Sequence, residues 1–277
     1  MELQEFNPIK VYMEYISHKN KINNIERQLD IGDMSFSASG AGLCMKKHWY
    51  NANGYDKKEI PNTTLRTFRL GTIFGNDMEK AMHWWDEEVP HPEDGKGKIE
   101  VYTEEQVTSE KYKLSGHFDL LVVHEIETDE PDPNFPGIKR CIRKGALFDY
   151  KTSNSYKFKK LFGRNPDDSP STNYEYQLGT YGMLINDLKD DSVEFNCEVE
   201  YMANVYINKD SSVMKIKEAP IEYIDFARKY WDAVNNKCNK GDPEPNFGVW
   251  TPFYSDWEFG RYCPYVEICD SPYKKGV

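Results

Sequence analysis

The segment FDYKTS (residues 148–153) sets a carboxylate, Asp149, and an ammonium, Lys151, two positions apart at the end of a small-apolar run starting at Gly145. In an extended strand such residues project from one face, so acid and base would stand side by side. A second carboxylate, Asp119, interrupts another apolar run, LSGHFDLLVV (residues 114–123). On neighbouring strands the two carboxylates would approach a common point, where they repel each other and each costs desolvation energy. A divalent cation removes that conflict. Mg²⁺ and Mn²⁺ take oxygen ligands, commonly carboxylates completed by water and substrate phosphate. The Tyr150 carbonyl would add an oxygen, and Lys151 would hold or activate a water or neutralise charge building on a phosphate. An isolated D-x-K reads first as a structural ion pair at a strand end, since such triplets are common by chance, so the elements around it must decide.

Those elements are legible in outline. Residues 8–28 read as a polar helix, and residues 37–54 as a Ser-capped short helix stopped by Gly54. Residues 63–88 form a longer helix with Leu70, Phe74, Met78, Met82 and Trp85 at helical spacing. Strands are expected over 98–104, 109–115 and 118–125, a Pro-rich acidic surface loop over 126–137, and a strand over 142–151. After a basic stretch come a helix over 172–186, strands over 197–208 and 212–218, and a helix over 220–237. The tail from Asn239 is rich in Gly, Pro and aromatics. This order predicts an α/β or α+β sandwich, helices packed around one mixed β-sheet.

Composition narrows the partners. With 39% hydrophobic and 29% charged residues in a chain of 277, a packed core is expected. A net charge of −11 excludes a generic basic nucleic-acid coat. Against that average, residues 150–165 carry five cations (Lys151, Lys157, Lys159, Lys160 and Arg164) and no acid. That is a solvated face or, following Lys151 directly, a phosphate-binding one. No apolar run is long enough for a membrane span, and MELQEFNPIKVYMEY lacks an apolar signal region, so an intracellular protein with free or metal-binding thiols is expected.

Four elements in this order resemble the PD-(D/E)xK nuclease superfamily, in its RecB-like branch: SGHFD ending at Asp119, FDYKTS with Asp149 and Lys151, YQLGTYGML with Gln177 and Tyr181, and the upstream LGTIFGNDMEKAMHWW. The resemblance covers roughly residues 37–270. It implies a restriction-endonuclease-like core and a metal-dependent DNA nuclease, more an exonuclease than a sequence-specific endonuclease. Gln177 and Tyr181, one helical turn apart on one face, would lie beside Lys151 and contact the strand. Lys157, Lys159 and Lys160 would bind backbone phosphates. Where RecB-like chains carry His-Glu, this chain has Gly75 and Asn76; the frame from Gly75 to Glu79 looks instead like phage lambda-type exonucleases. Glu79 therefore takes the outer acidic, metal-binding role, its alternative being a solvent-facing helix residue. Gly75 would allow close approach of a strand or phosphate.

The cysteines resemble those of iron–sulfur RecB-like exonucleases, including the CRISPR-associated family, in which one Cys precedes the core and three follow it. Cys44, Cys263 and Cys269 match; Gly260 stands where the fourth is expected, with Cys238 or His48 as substitutes. A [4Fe–4S] cluster, Zn²⁺ and a metal-free relic packed by Tyr262 and Tyr265 stay open. Cys141 and Cys197 read as core thiols. The expected divisions are an N-terminal helical segment (1–36), the nuclease core (37–238) and a Cys-containing tail (239–277) packed near Cys44. DNA is the expected partner, in processing, recombination or repair, with a recombination or helicase partner unidentified. Two other classes compete: a non-catalytic DNA-binding or recombination-partner protein, and a metal-cluster interaction module.

Overall fold

The computed structural model describes residues 8–31, 35–88, 98–133, 135, 137–166, 172–188, 194–245 and 263–269. The core is built on two long strands, β5 (Leu120–Pro131) and β6 (Lys139–Ser153), paired antiparallel with Leu120 opposite Phe148 and Val123 opposite Gly145. On one side β5 pairs with β2 (Lys98–Thr103); on the other β6 runs parallel to β7 (Glu198–Asn208), which pairs with β8 (Met214–Glu218). The sheet order is β2-β5-β6-β7-β8, mixed because only the β6–β7 step is parallel. A parallel step needs a crossover. Here two helices, α4 (Ser155–Phe162) and α5 (Thr172–Asn186), lie in that crossover. The expected mixed α/β sheet with flanking helices is therefore present.

A second sheet, ordered β1-β4-β3, joins β1 (Phe36–Ser37), β4 (Leu114–His117) and β3 (Gln106–Ser109). Here the strand expected over 109–115 is corrected. Residues 110–113 are the turn of the β3–β4 hairpin, with Lys113 at φ +48. Tyr112 and Leu114 are both buried and mimic the alternation of a strand. The expected loop over 126–137 is also shorter. Both strands continue outward, and Lys139–Glu127 and Arg140–Glu130 ion pairs link them. Cross-strand opposite charges favour such pairing even where Pro and acids suggest a loop.

Helix α1 (Pro8–Ile31) packs against α3 (Asn62–Glu88). On α3, Phe74, Met78, Met82 and Trp85 are half-buried as expected, but Leu70 is more than half exposed. The segment expected as one Ser-capped helix divides: a 3-10 turn at Ala38–Gly40 follows β1, and α2 (Met45–Ala52) begins only after Cys44. Gly54, at φ +73, stands past its end as expected. Helix α6 (Tyr223–Lys237) packs on α5. There Trp231 Nε1 donates to Thr180 Oγ1 at 2.9 Å, fully buried.

The α5–α6 approach depends on Gly179. A Cβ there would stand 2.1 Å from the Tyr223 backbone oxygen. Gly179→Ala is expected to force the helices apart and cost about 1–3 kcal/mol, the usual range for overpacking. Urea melts measure it; an unchanged midpoint would mean the helix pair adapts freely.

Candidate active site

The candidate site lies where the two sheets diverge. The chain leaves β4 at His117, passes through Phe118 and Asp119, and enters β5 at Leu120. Because β5 starts opposite Phe148, the Tyr150 N–H lies beyond the last paired residue of β5. Asp119 Oδ2 accepts that N–H at 2.5 Å. A backbone donor that would otherwise be orphaned thus fastens the Asp119 carboxylate to the amide following Asp149.

Asp149 is almost completely buried, and Lys151 Nζ forms an ion pair with its Oδ2. Burial pushes the Asp149 carboxyl above the ordinary carboxylate range; Lys151 opposes this without cancelling it. Burial, and then the Asp149 charge, push Asp119 up as well. Lys151 is lowered by burial, but Asp149 and Asp119 outweigh that and hold it above the ordinary lysine value. Two acids sharing one cation is the electrostatic frustration expected at a site that gains a further positive charge.

Helix α5 covers this group. Lys151 Nζ donates to Gln177 Oε1 at 3.1 Å, and Gln177 Nε2 donates to Tyr181 Oη at 3.3 Å. Tyr181 is buried against Gly116, where a Cβ would stand 2.9 Å from Tyr181 Cε1 and 2.6 Å from Ala38 Cβ. The glycine of SGHFD therefore makes room for the tyrosine of YQLGTYGML.

The structure thus brings Asp119, Asp149, Lys151, Gln177 and Tyr181 into one constellation. Glu79 approaches differently. Helix α3 reaches the Tyr150 side of β6, with Phe74 and Tyr150 ring centres 6.1 Å apart. The Glu79 charge raises the Tyr150 phenol only after burial, Asp119, Glu104 and Asp149. Its carboxylate lies 4.0 Å from His83 Nε2, one turn on. Gly75 faces open space, whereas Gly71 has Thr152 Oγ1 3.6 Å from its would-be Cβ. The three lysines also divide. Lys157 turns inward and donates to Tyr174 Oη at 3.0 Å; Lys159 is exposed, and Lys160 lies over Tyr156.

Three further residues escaped the sequence reading. Glu104, at φ +54 between β2 and β3, adds negative charge at Asp119 and Tyr150. Tyr174 has both Lys151 (4.8 Å) and Lys157 (4.2 Å) near its ring centre. Burial raises its phenol, but the two ammonium groups prevail and lower it. Asn204 pairs with Asp149 in register, so both side chains share a sheet face. It is 1% exposed, and neither amide atom has a hydrogen-bond partner among the described residues. Only for Glu104 was there a local signal, the acidic pair between two strands.

No three His, Cys, Asp or Glu side chains among the described residues form a group able to hold a metal. A two-carboxylate set is nevertheless a fit for Mg²⁺, which proteins commonly bind through one or two carboxylates with water and phosphate completing the shell. The desolvated Asp119–Asp149 pair has that chemistry.

The cysteines form a separate region. All six are free thiols; Cys141 is exposed, contrary to the expectation of a core thiol, while Cys197 is buried. Residues 263–269 lie against the α2 region: Lys58 N–H donates to the Pro264 oxygen at 2.8 Å, and the Tyr50 and Tyr265 rings are 5.1 Å apart. Burial raises Cys44, and Cys269 adds to it; burial pushes Cys263 up to about 11 and Cys238 up to about 12. Cys238 Sγ is directed to the Met45 carbonyl at 3.5 Å. Gly260 and Tyr262 lie outside the described residues. Among the described residues no three of these thiols form a group able to hold a metal, although the charges of Cys44, Cys263 and Cys269 act on one another. His48 is committed elsewhere: its Nε2 lies 2.6 Å from Tyr230 Oη and 3.0 Å from the Gly40 carbonyl.

No family model matches this chain, and no curated protein matches it in sequence. Among solved structures it is similar to the crystal structure of SSO0001, with 16% identity over 95% of this chain and 97% of that one, at a TM-score of 0.48.

Two measurements probe this region. Gly116→Ala is expected to dislodge Tyr181 and cost about 1–3 kcal/mol; an unshifted urea midpoint would show that Tyr181 has another place to go. Burial lowers His48 to about 3 from its ordinary 6.5. The unfolded chain therefore takes up a proton that the native state refuses. This contribution to stability is complete above pH 6.5 and is lost as pH falls toward 3, at up to about 1.4 kcal/mol per pH unit. Wild type should lose stability more steeply than His48→Gln between pH 6.5 and 4; parallel curves would contradict the assignment.

Proposed function

We propose that this protein is a metal-dependent DNA nuclease of the PD-(D/E)xK type, RecB-like, hydrolysing phosphodiester bonds, more an exonuclease than a sequence-specific endonuclease. One observation carries the reading. Asp119 is tied to the amide after Asp149, both carboxylates are desolvated, and the sole cation paired with Asp149 among the described residues is Lys151, itself held by Gln177. A purely structural ion pair needs one acid; the second raises the cost of the first.

Asp119 and Asp149 would hold Mg²⁺ or Mn²⁺, with Glu79 and the Tyr150 carbonyl as outer oxygen donors. When bound, such an ion polarises a phosphate and makes a water more acidic. Lys151 would turn part of its charge from Asp149 toward the scissile phosphate. Its hydrogen bond to Gln177, backed by Tyr181, limits where that ammonium can go, so stabilisation is aimed at the developing charge. Tyr174 and Lys157 border the same ammonium. Lys159 and Lys160 would add affinity for the strand without reading sequence. The acidic remainder of the chain would confine DNA to this strip. Free thiols suit an intracellular setting, and no described helix is long and apolar enough to cross a membrane. Cys44, Cys263 and Cys269 would be the thiols for an iron–sulfur group or zinc; the chemistry above uses neither.

A second reading, a non-catalytic DNA-binding or recombination partner that keeps the fold, is favoured by one observation: Glu79 lies toward His83, and no three-acid group is formed among the described residues.

Linear, circular, single- and double-stranded DNA incubated with Mg²⁺ or Mn²⁺ separates the two. Wild type is expected to degrade at least one substrate. Asp119→Asn, Asp149→Asn and Lys151→Ala should each lose at least about 10²–10³-fold in rate. DNA binding without cleavage would favour the second reading, and cleavage equal in all variants would place the activity elsewhere.

A further inference from the structure

Helix α4 was not foreseen as a helix, and its two faces differ in chemistry. Asn154 Oδ1 accepts the Lys157 N–H at 2.8 Å and caps it, while Asp210 Oδ2 accepts the Ser155 N–H at 2.8 Å. Its inner face buries Phe158 and Leu161 against Tyr206. On the outer face Tyr156 is 70% exposed, and Lys160 Nζ lies 5.2 Å from its ring centre. Lys159, also exposed, is three positions on, hence a neighbour of Tyr156 on the helix surface. The capped helix begins four residues after Lys151, within the acid-free stretch 150–165 of a chain whose net charge is −11.

We infer that Tyr156 and Lys160 form a stacking platform for a nucleobase of an unpaired DNA strand, with Lys159 and Lys160 on the flanking phosphates. This rests on, and deepens, the nuclease reading by naming where the strand lies beyond the site. An ammonium near the ring gives a cation–π contact and leaves ring surface open to solvent. An exposed aromatic among lysines matches the way unpaired strands are bound, base on ring and backbone on cation. Duplex DNA does not offer this contact, because its base faces are already stacked and only edges reach the grooves. A protein partner would use the phenol as an apolar anchor, but it would have to bury the adjacent ammonium groups, which are depleted from interface cores. The inner face of α4, packed on Tyr206, and its cap hold the helix backbone that carries the ring, so the helix itself needs no ordering when the strand arrives.

The test is fluorescence anisotropy of a labelled single-stranded 15-mer and a blunt-ended duplex of the same length with chelator present. It compares wild type, Tyr156→Phe, Tyr156→Ala and the double variant Lys159→Ala/Lys160→Ala, with melting curves to show that each is folded. Tyr156→Ala should weaken single-strand binding by about 10-fold or more, given the usual strength of one stacked base. It should leave duplex binding unchanged, and Tyr156→Phe should behave as wild type. The double lysine variant should flatten the salt dependence, whereas Tyr156→Ala should not. Equal binding of Tyr156→Ala and wild type, equal losses on both substrates, or no single-strand binding by wild type would each overturn the inference. Parallel digestion with Mn²⁺ keeps the two proposals apart. If Tyr156→Ala loses single-strand affinity and wild type cuts nothing, the platform stands and the nuclease falls. If wild type cuts DNA and Tyr156→Ala matches it in Kd and KM, the platform falls and the nuclease stands.

Discussion

The hydrogen bond from the Tyr150 amide to the Asp119 carboxylate is the constraint on which the site depends. It exists because β5 begins one step too late to satisfy that amide from its own backbone. The chain is there changing from one sheet to the other, so a side chain takes the place of a ladder partner. The same change of direction brings a carboxylate, rather than an apolar residue, to the end of β6. Without the fork, Asp119 would be another position in a continuous strand, facing whichever layer the alternation dictated.

Once the two acids are together, the layer under α5 has to manage them. Lys151 supplies one positive charge, and Gln177 and Tyr181 hold it in line. Further along the sheet the arrangement changes sign: Lys217, in register with Asn204, pairs with the buried Glu175 of α5 at 2.5 Å. One row across β6, β7 and β8 therefore runs acid, amide, base. The Glu175–Lys217 pair is locally neutral, while the Asp119–Asp149–Lys151 group is not. Buried pairs of the first kind are weak contributors to stability. The second kind is costly unless the surrounding structure holds its members in place. Asn204, whose amide has no hydrogen-bond partner among the described residues, stands beside Asp149 at the boundary between the two.

The parallel step between β6 and β7 has its own consequence. It obliges the chain to cross over, and the crossover delivers α4 and Tyr174 directly beyond Lys151. The basic stretch is thereby divided between an inward cation, Lys157, bonded to a phenol, an exposed one, Lys159, and the half-buried Lys160 over the Tyr156 ring. Placement of charge on this side follows from topology: a hairpin in place of the crossover would have carried those lysines away from the site.

How much of this was legible depends on whether a feature is local. The D-x-K face, the helix over 172–186, the central strands and the position of Gly54 all follow from periods of two or 3.6 residues and from backbone freedom, which any stretch of sequence carries within itself. So does the pairing of Gln177 with Tyr181. The strand at 109–115 was misread because a tight turn with a buried Tyr112 has the same alternation as a strand. Helix α4 is not legible because eight residues, six of them aromatic or basic, carry too short a pattern. Which acids meet, that Glu79 faces His83, that Gly116 yields space to Tyr181, and that Asn204 stands beside Asp149 were decided only by the tertiary structure. Each depends on register and on the angle between layers, where residues tens of positions apart exclude one another's volume and charge; no local window of the chain encodes that.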